Sequence, residues 1–333
     1  MTTPVSSAPT SSRITVVSGG VGAARFLLGL MDAVPAERIT AVVNTGDDTE
    51  LHGLSISPDL DTITYTLAGA IDPERGWGLV DESWRAMGAL DRYAGVKPTG
   101  SAAAPQWFNL GDQDLATHFY RTARLREGAT LTQVASEIAS AWKLSIGVLP
   151  MSDERWSTMV AVESDPALDG APNEVSFQDY FVRLRHSVPV TGVRFDGDAE
   201  LSPAARDALA SAETIVIAPS NPIVSIGPIR ALPGADELLM SRRERTVAVS
   251  PIVGGAALKG PADRMLTELG HEPSVVGVAR LYADIASALV IDPVDAHLAD
   301  AVEAAGLRCV VAPSIMSTPE VARSLAVATL DAV

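Results

Sequence analysis

Two short segments of the chain concentrate carboxylates. Residues 44–49 contain Asp47 and Asp48, and residues 57–62 contain Asp59 and Asp61. Aspartates this close together are poor material for a hydrophobic core, but their oxygens are good ligands for a hard divalent cation. The pattern therefore indicates a cation site that assists chemistry on a phosphate-bearing substrate. The structural alternative is a solvated turn at the first pair and a helix N-cap at the second.

Glycines follow the first apolar run of the chain. Gly19, Gly20 and Gly22 stand between a predicted strand and an apolar helical segment. Glycine lets the backbone approach an anion, and a helix N-terminus offers free N–H groups to it. Asn44 ends the next predicted strand, where a dinucleotide enzyme usually carries an acidic residue, and no Gly-Lys-Ser/Thr follows the glycines. We predict a phosphate or nucleotide site, with an ordinary βα turn as the alternative.

The C-terminal part of the chain repeats the alternation of short apolar runs and helical segments. These runs end in small or polar residues, among them Ser220, Asn221, Gly254 and Gly255. In a parallel sheet such ends lie at one edge, where ligands bind. We expect the serine and the asparagine to hold a phosphate or a base edge, and the two glycines to cradle a diphosphate with Lys259, although Lys259 could equally be a surface residue.

The pattern predicts an α/β fold, a Rossmann-like doubly wound and mainly parallel sheet with a helical cap insertion and a smaller β-containing section. Three of the five tryptophans lie between Trp77 and Trp107 in the insertion, where they could stack on a flat ring or simply pack. The predicted parts are a disordered tail at residues 1–12, a core at residues 13–67 and 203–333, the cap at residues 68–145, and an α+β section at residues 146–202.

Composition narrows the class of partner and the compartment. The 333 residues carry a net charge of −16, which argues against nucleic acid as a partner. The single cysteine, Cys309, excludes an internal disulfide and a multi-cysteine zinc site. No apolar run reaches membrane-spanning length, and the Ser/Thr-rich start has no apolar signal region. We expect a cytoplasmic protein without a membrane partner.

Taken together, several motifs carry a family resemblance that covers nearly the whole chain. The chain is similar to the 2-phospho-L-lactate transferases (CofD/FbiA type) of coenzyme F-420 biosynthesis, through the segments 18–25 (SGGVGAAR), 43–48 (VNTGDD), 57–62 (SPDLDT), 110–114 (LGDQD), 149–153 (LPMSD) and 218–222 (APSNP).

The resemblance implies a specific reaction. The donor would be a guanosine diphosphate carrying lactate or enolpyruvate, and the acceptor 7,8-didemethyl-8-hydroxy-5-deazariboflavin. The terminal ribityl hydroxyl would attack the phosphorus that bears the three-carbon acid, and GMP would leave to give F-420-0 or its dehydro form. The resemblance also implies Mg²⁺ as cofactor, with Asp47 and Asp59 as its ligands and Asp61 at the deazaflavin.

The remaining assignments concern the residues around this reaction. Asp61 or Asp48 could orient the attacking hydroxyl or accept its proton. We expect Asn44, Asn109 and Asp112 to contact substrate, and we expect a homodimer. The alternative is a non-catalytic regulator of the same fold that binds a nucleotide sugar; the two aspartate pairs favour the transferase.

Overall fold

The computed structural model describes residues 13–105, 107–163 and 173–333, so the predicted tail at residues 1–12 lies outside the described residues. Its strands are β1 (Ile14–Ser18), β2 (Ile39–Val43), β3 (Thr49–Leu51), β4 (Leu54–Ile56), β5 (Gly147–Pro150), β6 (Trp156–Val162), β7 (Glu174–Ser176), β8 (Val190–Gly197), β9 (Thr214–Ile217), β10 (Thr246–Val249), β11 (Ile252–Val253), β12 (Ala256–Ala257), β13 (Ala288–Ile291) and β14 (Arg308–Val311).

Helices connect and cover these strands. They are α1 (Gly20–Ala33), α2 (Pro58–Leu67), α3 (Arg85–Ala94), α4 (Asp114–Arg126), α5 (Leu131–Ala141), α6 (Pro203–Ser211), α7 (Gly227–Arg230), α8 (Ala235–Ser241), α9 (Ala262–Glu268), α10 (Val275–Tyr282), α11 (Ala299–Ala304) and α12 (Pro319–Leu330). Within the described ranges, no helix combines the length and the apolar character needed to cross a bilayer.

Seven parallel strands form the central sheet, in the order β14-β13-β10-β9-β1-β2-β5. From β1 the chain builds outward through β2 and β5, and it then returns to the other side through β9, β10, β13 and β14. The strand order therefore reverses between β1 and β9. The crevice at the carboxyl ends of these two strands is the topological switch point, where open α/β sheets bind ligands. The predicted doubly wound α/β class is confirmed.

Helices bury both faces of this sheet, which explains why its strands are continuously apolar. Successive residues of a strand point to opposite faces. Val16 and Ala41 belong to the apolar cluster under α1, α2 and α12, whereas Val17 and Val42 belong to the cluster on the other face with α6, α8 and α10.

The position of β5 differs from the prediction at two boundaries, the end of the cap at residue 145 and the start of the smaller section at residue 146. It pairs with β2 in parallel, with Val43 opposite Pro150, and is therefore the edge strand of the central sheet. Leu131 of α5 and Val148 of β5 share one buried cluster, so α5 packs on the sheet. The cap therefore ends before α5, and the predicted start of the smaller section at residue 146 is corrected. That section is the antiparallel sheet β7-β6-β8.

Candidate active site at the carboxyl edge of the sheet

A cavity of about 980 Å³ opens at the switch point of the sheet. The ends of β1 and β9, the start of α2, the cap insertion and the loop after β12 all contribute to its wall. Ten of the predicted site residues line it: Gly19, Gly20, Gly22, Asp47, Asp59, Asp61, Asn109, Ser220, Asn221 and Lys259. The fold thus gathers residues from widely separated segments at one place.

The glycine loop after β1 is shaped by close backbone contacts. A Cβ on Gly22 would lie 2.1 Å from the carbonyl oxygen of Pro219, and Gly20 adopts a φ of +67° that favours glycine. Ser220 Oγ donates to the Gly19 carbonyl at 2.7 Å and fixes this loop to the end of β9. The N-cap residue Gly19 supplies no side-chain cap to α1, but the Asp59 carboxylate accepts a hydrogen bond from the N–H of Gly20, the first residue of α1. The other N–H groups of this first turn could serve an anionic ligand.

Asp47 and Asp59 form the first of two carboxylate groups in the wall. Asn44 Nδ2 donates to Asp59 Oδ2 at 3.0 Å, while Asp47 Oδ1 is buried without a hydrogen-bond partner. Burial raises the pKa of Asp59 to about 6. Burial, followed by the charges of Asp59 and Asp48, raises the pKa of Asp47 well above its usual range. Two carboxylates held together in this way suit a divalent cation.

Asp61 belongs to a second group, which the sequence did not reveal. It lies in the first turn of α2, and both of its oxygens accept hydrogen bonds from the guanidinium of Arg121 on α4, with Nη1 at 3.0 Å from Oδ2. Arg121 is only 2% exposed. Burial opposes its charge, but the ion pair with Asp61 outweighs burial and raises the pKa of Arg121.

Three further side chains surround this ion pair. His118 Nδ1 lies 3.8 Å from Asp61 Oδ2, and His118 Nε2 lies 3.3 Å from Asp114 Oδ2. Tyr65 donates its hydroxyl to Asp114 at 2.6 Å. Burial works against ionisation of Asp114, but the close contact with His118 and the hydrogen bond from Tyr65 outweigh it and lower the pKa of Asp114. The result is a connected polar network in the cavity wall.

Aromatic residues line the cavity on two sides. Trp77, Trp107 and Phe108 come from the cap, as the sequence suggested, and Trp77 is 47% exposed. Phe177 and Phe181 come from the segment that includes the π-helical turn Asp179–Arg183, and the sequence had suggested no role for either phenylalanine. A cavity with two aromatic sides can receive two flat ring systems.

Five predicted site residues do not line the cavity. Asn44 and Asp48 lie just behind it: Asn44 supports Asp59, and Asp48 accepts a hydrogen bond from Ser57 Oγ at 2.6 Å. Burial is the main cause that raises the pKa of Asp48 to about 8. Neither residue is placed to touch a ligand directly, so Asp48 is a poor candidate for the base.

The other three serve local structure. Gly254 and Gly255 form the turn of the hairpin β11–β12, with φ values of +60° and +79° typical of a tight two-residue hairpin turn. Asp112 accepts hydrogen bonds from the backbone N–H groups of Arg85 and Ala86 and so caps α3. Of the segment predicted to cradle a diphosphate, Lys259 reaches the cavity wall and the two glycines do not.

The polar network around Asp61 was not predicted, although the sequence of α4 contains a pattern that indicates it. Asp114, His118 and Arg121 recur at intervals of four and three residues, so they share one face of α4. His118 and Arg121 are nevertheless buried. Polar residues aligned on the inward face of a helix indicate a buried network, whereas nothing in the sequence distinguishes Phe177 and Phe181 from ordinary core residues.

A parallel α/β sheet with a glycine loop and grouped carboxylates at its switch point is typical of proteins that act on phosphate-bearing ligands. Residues 14–313 match the model of the family described as 2-phospho-L-lactate transferase CofD. The chain belongs to this family and is a transferase.

Individual relatives agree with this assignment. The chain is 41% identical to a phosphoenolpyruvate transferase of Streptomyces griseus, with 96% of this chain and 98% of the relative covered. A protein of the same name from Nocardia farcinica is 39% identical, with 97% and 95% covered. A crystal structure of a UPF0052 family member from Bacillus halodurans has a TM-score of 0.60 at 15% identity, covering 97% of this chain and 100% of that one. That last similarity concerns the fold alone.

Proposed function

We propose that the protein transfers a phosphoenolpyruvyl group from an enolpyruvyl-diphospho-guanosine donor to the ribityl hydroxyl of 7,8-didemethyl-8-hydroxy-5-deazariboflavin. The hydroxyl oxygen forms a bond to the phosphorus that bears the enolpyruvyl group. The bond from that phosphorus to the bridging oxygen breaks, and GMP leaves with the electron pair. The hydroxyl proton passes to solvent or to a basic group, and the product is dehydro coenzyme F-420-0.

One observation carries this proposal: two differently held carboxylate groups line the same cavity. Asp61 is paired with Arg121, whereas Asp47 and Asp59 have no cation beside them among the described residues. A transfer between a diphosphate and a hydroxyl needs both functions, a cation site for the phosphates and a hydrogen-bond acceptor for the nucleophile. Asp61 would accept the hydrogen bond of the attacking hydroxyl and orient its oxygen.

The residues present fit the Mg²⁺ that the family resemblance implies. Asp47 has a buried oxygen without a partner, and the raised pKa values of Asp47 and Asp59 reflect carboxylates that a cation would stabilise in the charged form. Asp47 and Asp59 would hold the ion, which supplies charge neutralisation to the diphosphate. The glycine loop and Lys259 would contact the remaining phosphate oxygens.

The position of Asp61 suggests where the tricyclic ring of the deazaflavin binds. Tyr65, His118 and Asp114 line the cavity next to Asp61, and Trp107 and Phe108 precede α4 directly in the chain. A ribityl chain that ends at Asp61 would therefore place its tricyclic ring against the aromatic residues of the cap. Stacking on tryptophan suits such a ring.

The choice of enolpyruvate over lactate follows the relatives. The proteins from Streptomyces griseus, Streptomyces coelicolor and Nocardia farcinica are named phosphoenolpyruvate transferases and are 39–42% identical to this chain. The family model itself is described by the lactate reaction. The identities over nearly full length support the enolpyruvyl donor.

A donor comparison tests the proposal. Purified protein is mixed with the deazaflavin, Mg²⁺ and either the enolpyruvyl or the lactyl donor, and GMP release and product mass are followed. We expect GMP and the dehydro product in equal amounts, with a higher kcat/KM for the enolpyruvyl donor. Binding of a nucleotide sugar such as a UDP-sugar, without turnover of either donor, would contradict the proposal and favour the regulator.

We further propose that the transferase works in the cytoplasm as a homodimer. No nucleic acid partner is expected for a chain with a net charge of −16. Size-exclusion chromatography with light scattering would measure the number of subunits, and a monomer that retains full turnover would contradict the dimer.

A further inference from the structure

Asp59 and Asp61 stand two residues apart in the first turn of α2, yet they face different partners. Residues two apart on a helix point about 200° apart around its axis. Asp59 faces Asn44 and the glycine loop, whose Gly20 would place a Cβ 3.3 Å from Asp59 Oδ1. Asp61 faces α4 and its arginine. The helix thus separates two neighbouring carboxylates into two environments.

Arg121 donates hydrogen bonds to Asp61 from both of its terminal nitrogens. A two-pronged pair of this kind fixes the plane of the carboxylate as well as its position. Nη1 also lies 3.4 Å from the Ser55 carbonyl oxygen and 3.3 Å from His118 Nδ1. These neighbours fix the position of the Arg121 guanidinium. Because the guanidinium is fixed, the Asp61 carboxylate that it binds also has a defined orientation at the cavity wall.

The same contacts argue against a cation among Asp61, Asp114 and His118. One ligand atom from each of these three residues lies within 4.8 Å of the others, which is compatible with metal binding. However, Arg121 already occupies both oxygens of Asp61, and a divalent ion there would stand beside a buried guanidinium. The cluster is better explained as the surroundings of an ion pair.

We propose that Arg121 is a positioning residue for the transfer reaction: it holds Asp61 toward the acceptor hydroxyl and keeps Asp61 out of the cation site of Asp47 and Asp59. This inference rests on the proposed function. It divides the four aspartates into a cation pair, an acceptor-facing residue and Asp48 as support. It also gives the buried face of α4 a role in acceptor recognition.

Arg121→Lys tests the proposal because it keeps the charge and removes the two-pronged geometry. We expect kcat/KM for the deazaflavin to fall about 10- to 100-fold, the loss typical of a charge-assisted hydrogen bond. Mg²⁺ affinity, measured by calorimetry without substrates, should stay within about threefold of wild type, since the cation pair does not contact Arg121. A purely structural defect would lower turnover and the number of Mg²⁺ sites per chain together, in proportion to the folded fraction.

Arg124→Lys is the matched control, because Arg124 lies on the same helix and pairs with Glu137 at the surface. It should leave both quantities unchanged. If Arg121→Lys behaves like this control, the positioning role is wrong while the transferase function stands. If the wild type shows no turnover, the proposed function fails and the inference fails with it.

A double variant keeps the test decisive if single variants fold poorly. Removing Arg121 alone leaves a buried unpaired carboxylate, which is strongly destabilising. Arg121→Met combined with Asp61→Asn removes both charges, so its thermal stability should exceed that of Arg121→Met alone. Its turnover should nevertheless stay at least about 100-fold below wild type. Recovery of turnover together with stability would overturn the proposal.

Discussion

The site depends on how individual carboxylates are held. Asp61 has a guanidinium on both oxygens. Among the described residues, Asp59 has the amide of Asn44 and the backbone N–H of Gly20 as its partners, and Asp47 keeps a buried oxygen without a partner. The sequence showed the density of aspartates, and the family resemblance implied the division that we propose. It could not show the reason for that division, because Arg121 is 60 residues away from Asp61 in the chain.

The raised pKa values predict an unusual pH dependence of stability. The folded protein binds protons on Asp59 and Asp48 up to about pH 6 and about pH 8, whereas in the unfolded chain these groups lose them near the ordinary carboxyl pKa. The contribution of these groups to stability is therefore lost as pH rises through that window. In EDTA we expect the free energy of unfolding to fall with pH, by at most about 1.4 kcal/mol per pH unit for each carboxylate.

Denaturant titrations at a series of pH values would measure this effect. Asp48→Asn provides the control, because it should weaken the dependence at the upper end of the window and keep the parts that belong to Asp59 and Asp47. A free energy of unfolding that rises over the same window in the wild type would show that these carboxylates are ionised in the folded protein.

At the scale of elements, the cap insertion is connected to the network through two reciprocal helix caps. Asp112, just before α4, caps the N-terminus of α3. Glu82, just before α3, accepts hydrogen bonds from the backbone N–H groups of Gln113 and Asp114 at the start of α4. Each helix start is thus fixed by a residue that precedes the other, and α4 is the element that presents His118 and Arg121.

This arrangement predicts that Asp112 acts on helix stability and not on substrate. Asp112→Ala should cost about 1 kcal/mol, the usual cost of losing a cap, and should speed hydrogen exchange in α3. Thr318→Ala removes the side-chain cap of α12 and should leave exchange in α3 unchanged. A large rise in the KM for the deazaflavin, with unchanged exchange in α3, would restore Asp112 as a substrate contact.

The sequence predicted elements well where local pattern decides them. Short apolar runs indicated the core strands of the sheet, which are continuously buried. It failed where tertiary pairing decides, as for β5, which reads as the start of a new section but joins the edge of the central sheet. Likewise Gly254 and Gly255 look like a phosphate loop, although their hairpin leaves them away from the cavity.

At the scale of the whole molecule, the strand order creates the site. The reversal between β1 and β9 opens a crevice, and the cap and the segment after β7 both contribute to its wall. The glycine loop, the aspartate pairs and the end of β9 were predictable as neighbours because parallel strands end at one edge. The second aromatic side was not, since Phe177 and Phe181 reach the cavity only through the packing of the small sheet.

The most direct test is a crystal structure of the protein with Mg²⁺, GMP and the deazaflavin. The account predicts Mg²⁺ on Asp47 and Asp59, the ribityl terminus at Asp61 with Arg121 still paired to it, and the ring against Trp77 and Trp107. A cation bound by Asp61, Asp114 and His118, or a deazaflavin bound away from Asp61, would contradict it.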